Sequence, residues 1–223
     1  MPLELTWDFF LGAPLLSAVI SYFLGCSNGA VIISKYILRD DVRTHGSGNA
    51  GLTNFYRTFG GPLTLAVILI DVLKAVAAIL ISVWISRYLW DGAWSTVGDR
   101  PAKYWAALFC LLGHMFPCMF RFKGGKGILS GGIAAFMIDW RVALVVWGGF
   151  LLLTVLTKYV SLGSLWAGGS FPFITWICFP EETGVIVLSF LIGGLVVWQH
   201  RANIKRLLNG TENKFSLHKK KQE

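Results

Sequence analysis

The chain has 223 residues, 55% hydrophobic and 14% charged, with a mean hydropathy of +0.61, which excludes an ordinary soluble domain and leaves an integral membrane protein. Its net charge of +8 sits in short clusters between apolar runs, so membrane orientation accounts for the cations and nucleic acid is not expected as a partner. Cys26, Cys110, Cys118 and Cys178 lack C-x-x-C spacing, which supports neither a disulfide framework nor a zinc site.

In chain order, Glu4 and Asp8 precede the first apolar run without a basic residue, which argues against a cleaved secretory signal. The apolar runs predict spans near 10–37, 62–86, 104–120, 128–138, 141–157, 161–178 and 183–199. The fourth is short for a crossing, and Gly168, Gly169 and Pro172 predict a kink or break in the sixth. Five or six spans are the alternatives. The expected fold is all-α: a polytopic membrane helical bundle of about seven transmembrane helices, one domain over 1–223, with a basic tail from about residue 200. Arg39, Arg43, Arg57, Arg121, Lys123, Lys126, Lys158 and the tail cations fall on one side. Asp91, Asp99, Asp139, Glu181 and Glu182 fall on the other, with few cations. The positive-inside rule then puts the N-terminus outside and the C-terminus in the cytoplasm.

Four polar segments fall on that cytoplasmic side. In "GSGNAGLTN" (46–54), glycines allow a close backbone approach while Ser47, Asn49, Thr53 and Asn54 offer neutral hydrogen bonds. Arg57 follows within reach of the same pocket and suits a phosphate. An ordinary polar turn is the competing reading. In "KGGKG" (123–127), Gly124 and Gly125 flank Lys126 as an anion nest would, leading into a helix N-terminus. Phe120 stands where a Walker A loop needs its first glycine, and Gly127 where it needs Ser or Thr, so nucleotide hydrolysis is not supported. "SLGS" (161–164) follows the fifth span. In "HRANIKRL" (200–207), His200 and Asn203 share a helical face, with a basic amphipathic helix on anionic lipid as the competing reading. His114 suits either helix packing or proton transfer. Asp71 and Lys74, three residues apart within the second span, predict a buried ion pair that braces the bundle.

Taken together, "GSGNAGLTNFYR", "GHMFPCMFRFKGGKG" and "HRANIKRLLNGTENK" resemble, in order and spacing, the three signature motifs of the bacterial acyl-phosphate:glycerol-3-phosphate acyltransferases, the PlsY family. The chain departs from that pattern at Ala50, where the family usually has Pro, at Leu52, where it has Ala, and at Ile128, Leu129 and Ser130, where it favours Val-Ala-Thr. "GCSNGAVI" in the first span also lacks a proline common there.

The resemblance implies transfer of a fatty acyl group from acyl phosphate to the 1-hydroxyl of glycerol 3-phosphate, releasing lysophosphatidic acid and phosphate. This would be the first step of phospholipid synthesis, at the bacterial inner membrane, with the active site facing the cytoplasm. It assigns Ser47, Arg57, Lys126 and Ser164 to glycerol 3-phosphate, and Asn49, Thr53, Gly124, Gly125, His200 and Asn203 to acyl phosphate. Lys126, His200 and Asn203 are the expected catalytic group. The hydroxyl proton goes to His200 or to the substrate's own phosphate, and the family inclines towards the latter. No Ser-His-Asp set, G-x-S-x-G elbow or H-x-x-x-x-D motif is present, which fits a donor that is already activated and needs no acyl-enzyme. No metal or other cofactor is expected. A transporter for a phosphorylated solute is the rival reading. It would need polar residues continuing through the bilayer, and the spans offer little beyond Asp71 and Lys74.

Overall fold

The computed structural model describes residues 12–88 and 98–215. Glu4 and Asp8, read against a secretory signal, and Asp91 and the tail cations Lys219, Lys220 and Lys221, read for orientation, lie outside them. The described residues form helices and connecting turns with no strand among them. α1 (Ala13–Cys26) carries Pro14 in its first turn and stops where Asn28 caps the next helix, accepting from the Val31 N–H at 3.1 Å. α2 (Gly29–Ile32) runs into a π turn (Ile33–Ile37), and α1 and this continuation meet at a 42° bend. The expected first span is therefore two pieces.

After a loop come the short α3 (Leu52–Thr58) and the long α4 (Leu63–Tyr88), then α5 (Arg100–Met115). The remaining described helices are α6 (Ile128–Ile138), α7 (Trp140–Thr157), α8 (Val160–Cys178), α9 (Thr183–Gln199) and α10 (Arg201–Leu208). Helical segments thus occupy all seven predicted regions. By length and composition α4 and α7 can each cross a membrane, and each bent pair, α1 with α2 and α9 with α10, passes the same test when taken as one span. α8 continues through Pro172 without a break.

α4 is inside-out relative to a helix in water. At 1.5 Å per residue its 26 residues reach about 39 Å, more than a bilayer's hydrocarbon core. Leu65, Leu69, Leu73, Leu80 and Trp84 are exposed along it, while Asp71, Lys74, Ser82 and Ser86 are buried with Val67, Ala75, Ala78 and Ile79. Leucines facing outward and polar groups facing inward are what lipid as solvent demands. α6, with 11 residues, reaches only about 17 Å and packs inside the bundle instead. The main core joins α5, α6, α7, α8 and α9 around Tyr104, Leu111, Ala135, Val142 and Val185.

A second, smaller core pins the loops at one end. Val42, Ala50, Phe55 and Phe120 pack there on Val31 and Val67. At the opposite end, arginines neutralise the acids: Arg87 pairs with Asp99, Arg100 with Glu182, and Arg141 with Asp139 at 3.0 Å.

Candidate active site

Two loops form the site's frame, and each is held by side chains that bridge long distances in sequence. Arg43 Nη1 donates to the carbonyls of Phe120 at 2.9 Å and Lys123 at 3.0 Å, while Asp41 holds the rest of its guanidinium. This ties the loop between α2 and α3 to the loop between α5 and α6. Asn54 organises the first loop: its Oδ1 accepts from the Ser47 N–H at 3.0 Å. Its Nδ2 donates to the carbonyls of Val42, His45 and Asn49 at 3.0–3.1 Å. Asn28 Nδ2 adds a bond to the Ala50 carbonyl at 3.0 Å.

The glycines of "KGGKG" do a different job from the one expected of a nest. The Gly124 N–H donates to the Met115 carbonyl and the Gly125 N–H to the His114 carbonyl, both at 3.1 Å. Those N–H groups hold the loop against the end of α5 and do not point at a ligand. A Cβ on Gly124 would sit 2.0 Å from the His114 carbonyl oxygen, and one on Gly125 2.3 Å from His114 Nε2. Glycine is thus required by close approach. Gly127, at φ +77°, turns the chain into α6, and Gly127, Ile128 and Leu129 at the start of that helix line the site.

Between the loops lies a cavity of about 240 Å³. Ser47, Asn49, Thr53, Asn54 and Arg57 line it from the first motif, Lys126 from the second, Ser161 and Ser164 from α8, and His200 and Asn203 from the third motif. Every predicted site residue except Gly124 and Gly125 therefore faces one space, which is the convergence the sequence called for. Leu129, Trp147 and Phe150 give it an apolar side, and Asp71 and His114 reach its floor.

Lys126 Nζ donates to Asn203 Oδ1, and Asn203 Nδ2 in turn donates to Glu212 Oε1 at 3.1 Å. Glu212 also accepts from Arg206 Nε at 2.8 Å. Burial, helped by the positive Arg206 and Arg201, pushes Lys126 down to about 8. Burial likewise lowers Arg57 from its usual value. His200 stands at the break between α9 and α10. Its Nδ1–H donates to the Val196 carbonyl at 2.8 Å, which leaves Nε2 as the acceptor of a neutral ring. Burial pushes its pKa down to about 4. Ser164 Oγ donates to the Val160 carbonyl of its own helix at 2.8 Å.

Beneath the cavity, Lys74 Nζ uses its three protons on Asp71 Oδ1 (2.7 Å), His114 Nδ1 (2.7 Å) and the Ser27 carbonyl (3.1 Å). The predicted ion pair is present, with both side chains at most 3% exposed. His114 is its third member.

The segment after α10 reaches the cavity through Glu212 and Asn213. Arg57 Nη2 donates to the Asn213 carbonyl at 3.3 Å, and the Phe215 N–H to the Lys158 carbonyl at 2.7 Å. Sequence reasoning did not single out Ser161, Glu212 or Asn213. Glu212 carried a signal, being the one acid between residues 200 and 221. An acid alone in a basic run invites the question of which cations it serves.

Fold and site together define a class: an apolar helical bundle with membrane-length helices and, at one end, a cavity lined by cationic, neutral polar and apolar side chains. Comparison with known proteins narrows this. Residues 15–210 match the family model described as glycerol-3-phosphate acyltransferase. A glycerol-3-phosphate acyltransferase of Clostridioides difficile is 40% identical over 205 residues, covering 92% of this chain and 97% of the relative. One from Thermoanaerobacter pseudethanolicus is 38% identical over 201 residues, 90% and 95% of the two chains. The crystal structure of PlsY (YgiH), an integral membrane glycerol 3-phosphate acyltransferase, in its glycerol 3-phosphate form superposes with a TM-score of 0.79 at 32% identity. That match covers 92% of this chain and 96% of the other. The lysophosphatidic acid form gives 0.76. The chain belongs to the glycerol-3-phosphate acyltransferase family, and with it to the acyltransferases.

Proposed function

We propose that this protein transfers a fatty acyl group from acyl phosphate to the 1-hydroxyl of glycerol 3-phosphate, forming lysophosphatidic acid and inorganic phosphate. The reaction takes place at the cytoplasmic face of the bacterial inner membrane, as the first step of phospholipid synthesis. The observation that carries this reading is the cavity itself. It joins Lys126, Arg57 and Arg206 on one side to Leu129, Trp147 and Phe150 on the other. A lipid-tailed mixed anhydride and a small polar dianion need that combination.

The chemistry asks little beyond charge and position. Two phosphate charges 4 Å apart repel by about 4 kcal/mol at an effective dielectric of 20, and the cations offset this. Lys126 and the N-terminus of α6 oppose the charge that builds on the reacting carbonyl oxygen and on the departing phosphate. Ser47, Asn49, Thr53 and Asn203 orient the two phosphates, while Asn54 shapes the loop that presents the first three. The acceptor's hydroxyl oxygen bonds to the acyl carbon, the carbon–oxygen bond to phosphate breaks, and phosphate leaves. His200, with a pKa near 4, is a weak base at neutral pH. A phosphate oxygen, whose second pKa is about 6, is the better proton acceptor. The proton therefore goes to substrate phosphate, and His200 Nε2 accepts a hydrogen bond that holds the reactants.

Purified protein given palmitoyl phosphate and labelled glycerol 3-phosphate, with a chelator present, is expected to form lysophosphatidic acid and phosphate in equal amounts. Product from palmitoyl-CoA and none from palmitoyl phosphate would overturn the donor assignment. Uptake of glycerol 3-phosphate into vesicles without product would support a transporter instead.

A further inference from the structure

Five buried side-chain polar atoms have no hydrogen-bond partner among the described residues: Ser21 Oγ, Thr154 Oγ1, Ser161 Oγ, Ser170 Oγ and Glu182 Oε2. Of these residues Ser161 is the one that lines the active-site cavity. It is 6% exposed, so its hydroxyl has given up water without a replacement among the described residues. A buried hydroxyl in that state carries a free-energy penalty, and a native site that keeps one implies a partner that arrives from outside.

Its position says what kind of partner. Ser161 is the second residue of the 19-residue α8. The N–H groups of Leu162 and Gly163 turn back to the Tyr159 carbonyl, at 3.1 and 3.4 Å. Those of Val160 and Ser161 precede the first intrahelical bonds, and they stand at the positive end of the helix dipole. Val160 lines the cavity as well. A hydroxyl proton without an acceptor, beside free N–H groups at a helix N-terminus, matches an anionic oxygen. Ser164, one turn on, differs: its hydroxyl is already committed to the Val160 carbonyl.

We propose that Ser161 is a further substrate-binding residue, donating its hydroxyl proton to a phosphate oxygen of a substrate held at the N-terminus of α8. This rests on the acyl transfer proposed above, in which either glycerol 3-phosphate or acyl phosphate supplies that oxygen.

The Ser161→Ala variant removes the hydroxyl and leaves the packing nearly unchanged. KM for one of the two substrates is expected to rise about tenfold or more, as for a lost hydrogen bond to a charged group, while kcat changes less. The substrate whose KM moves is the one that Ser161 holds. The thermal midpoint of the ligand-free variant should equal or exceed that of the parent, because an unsatisfied buried group has gone. Inorganic phosphate should raise the midpoint of the parent more than that of the variant, a readout independent of turnover. KM values both within about twofold of the parent, with equal stabilisation by phosphate, would overturn the assignment, as would a midpoint that falls with the loss of binding. A parent protein that binds phosphate without turnover would refute the proposed reaction, and the phosphate stabilisation would still decide the role of Ser161.

Discussion

Lys126 and His200 stand in one cavity, and burial acts on both in the same direction with opposite consequences. Lys126, lowered to about 8, remains a cation at neutral pH and loses its charge as pH rises through that value. The kcat/KM for glycerol 3-phosphate should therefore fall above about pH 8, since this quantity reports the free enzyme's groups. In Lys126→Arg the alkaline fall should shift well upward, because a guanidinium stays charged. A fall at the same pH in both proteins would assign it to another group. His200, at about 4, is neutral throughout this range and adds no limb between pH 5 and 8. At this scale the sequence was most legible where chemistry is spelled by residue type. Lys126, Arg57, Ser47 and Asn203, picked out as polar groups between apolar runs, all line the cavity. Asn54 looked like one of the same set, yet all its hydrogen bonds go to its own loop, and residue type cannot tell a ligand's partner from a backbone's. Ser161 was hidden for the converse reason. Ser21 and Ser170 share its missing partner within helices, and only its place in the cavity wall distinguishes it.

Hydrophobic run length located the helices well, and their internal breaks poorly. The stop after Cys26 depends on Asn28 reaching both Val31 and Ala50, a contact that run length does not register. Pro172, read as a possible break, is accommodated inside α8. The second motif shows most clearly what sequence pattern leaves open. Repeated glycine beside lysine has the composition of an anion nest, whereas the structure uses Gly124 and Gly125 for close packing, and it is Lys126 and the start of α6 that line the cavity. Gly125→Ala puts that account to the test, since the added methyl meets His114 Nε2 at 2.3 Å and the Ala50 carbonyl oxygen at 2.5 Å. The variant should lose about 1–3 kcal/mol of stability by overpacking, seen as a lower thermal midpoint, together with acyl transfer. An unchanged midpoint with lost activity would return the glycine to a direct role in binding.

The molecule as a whole separates its polar groups by end. Acids at one end are matched by Arg87, Arg100 and Arg141, while the end with the cavity carries Lys126, Arg57 and Arg206 and places Glu212 at their centre. Between them lies the apolar core, interrupted near the cavity by Asp71, Lys74 and His114, which are joined by hydrogen bonds from Lys74. That arrangement supports a site sealed at its floor better than a path across the bilayer. With the cavity end in the cytoplasm, a fluorescent protein fused to the C-terminus should fluoresce, and alkaline phosphatase fused there should be inactive. The reverse pattern would invert the orientation. The central claim is that segments remote in sequence form one cradle for two phosphates, with Lys126 at its middle. The most direct test is acyl transfer by purified Lys126→Ala from palmitoyl phosphate, compared with the parent at equal amounts of folded protein. Loss of turnover by at least about a hundredfold is expected for removal of a preorganised charge; turnover near that of the parent would contradict the account.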